Sequence, residues 1–180
     1  KQGRLCIAWN GPGFASSEFP ALEVACEVLA GTNNSRLSRR MVQAERIATG
    51  TATELRPREL GVLIILTITP GIGVPISAIE AVAREEIERL PGTLEPKELD
   101  VARLRLFAKA IRGLERVGGP NSRSDVLGLA TIVSGGVRSH RSRLSIMADM
   151  QPDAVSSAAL WLRGAGAILE MHPTAESNGR

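Results

Sequence analysis

The alternation of apolar and polar positions predicts four strands. Leu5 to Trp9 is a short apolar run. Ile47 to Leu55 alternates, which predicts that one face of the strand carries Ile47, Thr49, Thr51, Thr53 and Leu55. Gly61 to Thr69 is continuously apolar, which is typical of a central strand. A last strand is predicted in "AGAILEMHP". Because the second and third strands are close in sequence, we expect them to form an antiparallel hairpin.

Apolar residues at helical spacing predict the helices between these strands. The first covers residues 19–30, with Leu22, Cys26 and Leu29 on one side and Gly31 as its C-cap. A short second helix is predicted at 36–44, capped by Asn34 or Ser35. The remaining predicted helices are 77–90 capped by Ser77, 93 to about 117 capped by Thr93, 125–133, a short segment at 144–150, and a closing helix in "QPDAVSSAALWLRG".

The order of elements, β-α-α-β-β-α-α-α-α-β, predicts an α+β fold with a mainly antiparallel sheet and helices packed on one face. We expect a single domain over residues 1–173 and a disordered tail at 174–180. The chain begins inside a predicted strand and shows no signal peptide, which indicates a piece of a longer polypeptide. The cellular compartment therefore stays open, because a targeting signal upstream would be missing from this sequence. The longest apolar run, "LGVLIILTI", is much shorter than the roughly 20 residues of a membrane span.

Composition and charge argue against a nucleic-acid partner. The 180 residues are 43% hydrophobic and 23% charged, with a net charge of +3 made of interspersed acidic and basic residues. Nucleic-acid binding requires basic charge clustered on one face, and single-strand binding also uses aromatic stacking residues. Aromatic residues are only 3% of the chain and tyrosine is absent. A nucleic-acid-binding α+β module is therefore the disfavoured alternative.

No self-sufficient active site is predicted in this chain, whether metal-dependent or nucleophilic. The two histidines, His140 and His172, have no second histidine at helical spacing, so no HxxEH motif exists, and a zinc site needs three protein ligands. Cys6 and Cys26 are predicted to be buried free thiols. There is no G-x-S-x-G elbow and no P-loop. The adjacent Glu85 and Glu86 are interpreted as a solvated helix face.

One segment, "SRLSRRMVQAERIATGTATEL", resembles a helix-to-strand element of the C-terminal-type domain in peptidase family M16. That family includes the mitochondrial processing peptidase, pitrilysin and bacterial zinc-protease-like proteins. The family pattern is approximately S-R-L-x-x-x-L-R-E-x-x-G-L-A-Y-x-V. The matching residues are Ser35, Arg36, Leu37, Ile47 and Ala48, with Met41 in place of a leucine.

Other segments resemble the family in the same order. "PALEVACEVLAG" is similar to the helix before this element, and "GVLIILTITPGIG" to the strand and loop after it. "LPGTLEPKELDVARLRL" is similar to a later helix start, and "MQPDAVSSAALWLRGAGAILEMHP" to the closing helix and strand. The resemblance covers residues 3–173 and depends on the ordered set of segments.

The resemblance implies a full-length protein in which two homologous α+β domains face each other across a chamber. The HxxEH motif, its distal glutamate and the zinc ion belong to the N-terminal-type domain. This chain is thereby predicted to be the non-catalytic, chamber-forming half, with no cofactor of its own. The implied partners are an HxxEH-bearing domain, in cis or in trans, and a peptide substrate held as an extended strand. Since its chamber-facing sheet would be uncovered, the isolated chain is also expected to pair with itself or with another domain.

The resemblance also gives a candidate substrate-binding set of Arg36, Val42 and Thr49. In active members, an arginine and a tyrosine of this element reach the substrate and the zinc site; they align with Val42 and Thr49. Neither residue supplies a guanidinium or a phenol. The alternative function is therefore a proteolytically inactive structural or assembly subunit, as in the core subunits of respiratory complex III.

For the basic cluster of Arg36, Arg39 and Arg40 two interpretations remain. In the favoured one, Arg36 fixes the helix start through local hydrogen bonds while Arg39 and Arg40 face water. In the other, the cluster binds substrate.

Overall fold

The described residues form one antiparallel sheet of four strands, which is the frame of the fold. The computed structural model describes residues 3–58, 60–119, 122–134, 136 and 138–172. The strands are β1 (Arg4–Gly11), β2 (Ala48–Pro57), β3 (Val62–Pro70) and β4 (Ala167–Met171), in the spatial order β2-β3-β1-β4. Every neighbouring pair is antiparallel, and β3 is central, as its continuous apolar sequence predicts. The tail predicted at 174–180 lies outside the described residues.

The sheet has one packed face and one open face. Alternate residues of the two central strands are buried: Leu5, Ile7, Trp9, Val62, Ile64, Leu66 and Ile68. The residues between them, including Cys6, Leu63 and Ile65, point to the opposite face and are only partly buried. The apolar run of β3 therefore supplies both faces, although helices cover only one of them.

The helices pack around α1 (Phe19–Ala30), whose bounds match the predicted ones. Leu22, Ala25, Cys26 and Leu29 of this helix are buried in the core. After it, residues 36–44 form a short helix in which Ser38–Ala44 is wound as a π-helix. The others are α2 (Ile76–Thr93), α3 (Pro96–Glu115), α4 (Arg123–Ser134), α5 (Arg138–Ala148) and α6 (Pro152–Ala159), which ends in a 3-10 turn at Leu160–Leu162.

The boundary between α2 and α3 differs from the prediction. Thr93 does not cap α3; it is the last residue of α2, which continues through Pro91. The Thr93 hydroxyl donates a hydrogen bond to the Arg89 carbonyl at 2.8 Å, which supports this last turn. The α3 helix starts at Pro96, with Glu95 as its N-cap in a capping box with Glu98.

Two further helix predictions are wrong in detail. Ser77 does not cap α2, because the helix already begins at Ile76, after the extended residue Pro75. The segment predicted as a short helix at 144–150 is the end of α5, which begins at Arg138.

Strand β2 contains an irregularity that the alternating pattern does not reveal. Ala48 pairs with Pro70 and Gly50 pairs with Thr69, so Thr49 is the extra residue of a β-bulge. Thr51, Thr53 and Leu55 keep the predicted common face, whereas Thr49 is exposed.

The two cysteines are free and lie in different environments. Cys26 is buried in α1, where burial raises the pKa of its thiol to about 12. Cys6 is only partly buried, on the open face of the sheet, with its Sγ 3.8 Å from the Thr67 Oγ1. The prediction of two buried thiols is therefore wrong for Cys6.

Candidate functional site

The segment that resembles the family contains the π-helix Ser38–Ala44, called here the π-helical segment, which lies between the sheet and α2. Its wide winding is visible in the backbone, where the Glu45 N–H donates to the Arg40 carbonyl at 2.8 Å. A short contact of 2.7 Å between the Ser38 Oγ and the Thr51 Oγ1 joins the segment to β2, and Met41 is fully buried in the core. π-Helical turns are rare in proteins, and those that do occur are often found at functional sites. This segment is therefore taken as the structural basis of the candidate site.

Arg36 is buried in a network formed with residues far along the chain. Its side chain is 9% exposed. Nε donates to the Glu98 Oε1 at 3.0 Å, and Nη1 donates to the Thr93 Oγ1 at 2.8 Å. Nη2 donates to both the Thr93 carbonyl and the Glu98 Oε2. These partners belong to the α2–α3 junction, so the interpretation that Arg36 makes local hydrogen bonds is wrong.

The other two arginines are also paired. Arg39 is exposed, and its Nη2 lies 2.8 Å from the Glu98 Oε1. Arg40 is 25% exposed and contacts three carboxylates, those of Glu45, Glu85 and Glu86, each at 2.7 Å.

The expectation that Arg40 and Glu86 face water is wrong, because α2 packs beside the π-helical segment and Glu86 is only 8% exposed. Glu85 is exposed, as predicted, but is also paired with Arg40.

The arginines determine the ionisation of the central carboxylate. Burial acts to raise the pKa of Glu98, but the hydrogen bond from Arg36, that from the Glu95 backbone and the charges of Arg36 and Arg39 together lower it below its ordinary value of 4.5. A carboxylate in this environment is stabilised in its charged form. The network is consequently a source of stability that depends on pH.

We expect Glu98→Gln to lower the free energy of unfolding by about 2 kcal/mol at pH 7, since it removes a charged hydrogen-bond acceptor. The folded-state pKa of Glu98 lies below the unfolded value, so its stabilisation is present above pH 4.5 and is lost as pH falls through the folded pKa. The difference in the free energy of unfolding between wild type and variant, measured by urea unfolding, should therefore become smaller below pH 4.5. Glu115→Gln, at the exposed end of α3, is the control. A difference that stays constant from pH 7 into this acid range would contradict the assignment.

The structure places the three residues of the substrate-binding prediction in unlike environments. Val42 follows Arg36 in the same short helix and packs against the core. Thr49 is exposed at the bulge of β2, with its Oγ1 3.4 Å from the Thr69 carbonyl. The guanidinium of Arg36 points to the α2–α3 junction. Their role toward a substrate stays a prediction.

Sequence reasoning missed Thr93, Glu98 and Glu86 as partners of the basic cluster. The spacing of Glu95 and Glu98 around Pro96 is a capping-box signal and could have placed the start of α3. Nothing local, however, connects Glu98 with Arg36, which is 62 positions earlier.

Within the described ranges, no group of three or more His, Cys, Asp or Glu side chains is arranged to hold a metal ion. His172 is exposed, with its Nε2 3.2 Å from the Glu170 Oε2. The side chain of His140 lies outside the described residues. No helix in the part of the chain that the structure describes combines the length and apolarity needed to cross a membrane.

The fold and the position of this element define the class of the protein. Residues 1–106, more than half of the chain, match the family described as the peptidase M16 inactive domain. The chain belongs to this family, and it is a non-catalytic domain of the M16 type. The resemblance read from the sequence is thus confirmed. No curated protein matches the chain.

Solved structures share the fold at low sequence identity. The inactive peptidase domain of a predicted zinc protease from Bordetella parapertussis superposes with a TM-score of 0.82 at 20% identity, covering 98% of this chain and 96% of that one. A predicted zinc protease from Bordetella pertussis Tohama I superposes with a TM-score of 0.81 at 20% identity, covering 96% of this chain and 94% of that one. A Helicobacter pylori protease superposes with a TM-score of 0.75 at 18% identity, covering 88% of this chain. The chain spans only 38% of that protease's length.

Proposed function

We propose that this chain forms one wall of the substrate chamber of an M16-type zinc metallopeptidase, an insulinase-family hydrolase of bacterial origin. The observation that carries the proposal is the open face of the sheet. Leu63 and Ile65 of β3 and Ala8 of β1 are only partly buried there, while the helices pack on the other face. An apolar sheet face is normally covered by another layer. A second domain of the same fold is the cover that we propose.

The zinc ion of this enzyme is proposed to belong to the HxxEH-bearing partner domain, in cis or in trans. Zinc binding requires three protein ligands, usually His, Cys or carboxylate side chains. The pair of His172 and Glu170 supplies at most two, and the two cysteines are on different elements. These residues do not fit a zinc site, and the chain's own contribution is to bind and orient the peptide and to exclude water.

The outer edge of β2 is the proposed place for an extended peptide, because β2 ends the sheet and, among the described residues, pairs with β3 alone. A peptide can add to such an edge through main-chain hydrogen bonds. Thr49 is at this edge and exposed. Val42 offers only apolar contact, and Arg36 could reach a peptide only by leaving Glu98. Of the three residues, Thr49 is the best placed.

A second candidate function is a proteolytically inactive structural or assembly subunit of the same fold. The specific observation in its favour is that neither Val42 nor Thr49 provides a charged or phenolic hydrogen-bond donor. Arg36, the charged member of the set, is engaged within the chain. Such a subunit would bind its partner domain without supporting peptide cleavage.

The test is reconstitution with the HxxEH-bearing domain of the same protein or organism. The chain alone should bind no zinc and cleave no peptide, and the mixture should form a stable complex that cleaves peptides until a chelator is added. A stable complex without cleavage would select the structural subunit. Zinc binding or chelator-sensitive cleavage by the chain alone would overturn the proposal.

An open-face variant supplies the matched comparison. Ile65→Glu should prevent the complex, because it places a charge where the partner is proposed to pack. Leu104→Glu, at an exposed position of α3, should not. Light scattering on the free chain should show a dimer at high concentration, since the open face of one copy is then available to another.

A further inference from the structure

A cavity of about 370 Å³ lies within the helical layer, bounded by α1, α3, α4, α5 and the end of β2. Apolar side chains form much of its wall: Phe14, Phe19, Leu106, Leu129 and Met147. Its volume is in the range of small-molecule sites, roughly 300–1,000 Å³. Because the helices pack on the face of the sheet opposite to the open one, this cavity is separate from the proposed chamber wall.

Two oppositely charged side chains line the cavity without completing their hydrogen bonds. Glu23 of α1 and Arg143 of α5 are 15% and 18% exposed, and the Arg143 Nε lies 3.5 Å from the Glu23 Oε2. Among the described residues, neither of these two buried atoms has a hydrogen-bond partner. The Arg143 guanidinium also lies 4.9 Å from the centroid of the Phe14 ring. The two atoms face each other as a loosely aligned ion pair, and a polar group of a ligand beside them would complete their hydrogen bonding.

A second pair of opposite charges, Glu27 of α1 and Lys109 of α3, lines the same cavity. Burial raises the pKa of both Glu23 and Glu27, and the positive charges of Arg143 and Lys109 near Glu23 offset this only in part. Glu23 and Glu27 can accept hydrogen bonds from an ammonium group, and Arg143 and Lys109 can donate to a carboxylate. The cavity combines an apolar wall with charges of both signs.

We propose that this cavity binds an apolar zwitterion, either a free hydrophobic amino acid or a short peptide. Its ammonium group would donate to Glu23 and Glu27, and its carboxylate would accept from Arg143 and Lys109. Its apolar side chain would lie against the aromatic and aliphatic wall. A fatty acid or a simple amine would satisfy only one sign of charge. The proposal does not depend on the zinc partner, so it can fail or succeed independently of the proposed function.

The experiment is a titration followed by NMR of methionine methyl groups, using L-phenylalanine and the dipeptide Phe-Leu as probes. Three of the four methionines report on clearly different places: Met147 lines the cavity, Met41 is in the core beneath the π-helical segment, and Met171 is on β4. The Met147 signal should shift saturably, and that of Met171 should not. Phenylalaninamide and N-acetylphenylalanine, which each lack one charge, should bind at least about tenfold more weakly. The tighter of the two probes identifies amino acid or peptide.

Variants test the charges directly. Glu23→Gln and Arg143→Met should each weaken binding by about tenfold or more, and Glu115→Gln, at the exposed end of α3, should not. If either buried variant misfolds, the exposed variant Lys109→Met tests the proposal instead. It should remove the preference for L-phenylalanine over phenylalaninamide, which lacks the free carboxylate. No saturable Met147 shift up to about 10 mM of either zwitterion would overturn the proposal, as would unchanged binding in the Lys109→Met variant.

Discussion

Leu66→Ala is expected to lower the free energy of unfolding by about 3 kcal/mol. Leu66 is fully buried on the packed face of β3, where it is paired with Ile7 of β1. Truncating a buried leucine removes its transfer free energy and leaves a cavity, which together cost about 2–5 kcal/mol. Urea unfolding of the isolated chain, followed by circular dichroism, measures the change.

Leu63→Ala is the matched control in the same strand. Leu63 is paired with Asn10 on the open face and is only partly buried. Its truncation should cost less than about 1.5 kcal/mol in the isolated chain, because less apolar area leaves water on folding. Equal losses for the two variants would contradict the assignment of a packed face and an open face.

Arg36→Met is expected to lower the free energy of unfolding by about 3 kcal/mol, since removing one partner of a buried ion pair leaves the other without compensation. Glu98 would keep only exposed Arg39 as a countercharge, and the Thr93 carbonyl would lose its donor. The helix 36–44 would lose its buried link to the α2–α3 junction and keep the more exposed pair of Arg39 with Glu98. Urea unfolding at pH 7 measures the effect.

The control for this variant is Arg56→Met on β2. Arg56 pairs with Glu54, but both side chains are more than half exposed, and surface ion pairs contribute little. No measurable change is expected. The double variant Arg36→Met/Glu98→Met should recover part of the loss, because no buried charge is left unpaired. A loss for Arg36→Met no greater than that for Arg56→Met would show that the network does not hold the helix.

Local patterns were sufficient for the elements that the core requires. The spacing of Leu22, Cys26 and Leu29 predicts α1 with its observed bounds, because a helix packed on a sheet must present one continuous apolar stripe. The unbroken apolar run of β3 predicts a central strand. In its first half the run is apolar on both faces, with Leu63 and Ile65 on the open side, which is consistent with the proposed cover by a second domain.

Contacts between residues far apart in the chain could not be predicted from local sequence patterns. Pro91 and Gly92 read as a break, yet α2 passes through them, because Leu90 is buried and Thr93 supports the last turn. The partners of Arg36 depend on the packing of the α2–α3 junction against the π-helical segment. The alternating pattern places Thr49 on the wrong side of β2, because one extra residue in a strand reverses every position before it.

The bulge at Thr49 limits how much chain the β2 edge can accept. Regular pairing with β3 runs over residues 50–57, which is roughly 25 Å of extended backbone at about 3.3 Å per residue. At the far end Pro57 has no N–H to offer. A peptide added to this edge would therefore pair over a stretch of fixed length between the bulge and Pro57. Under the proposed function, cleavage products of similar length would then be obtained from unrelated sequences.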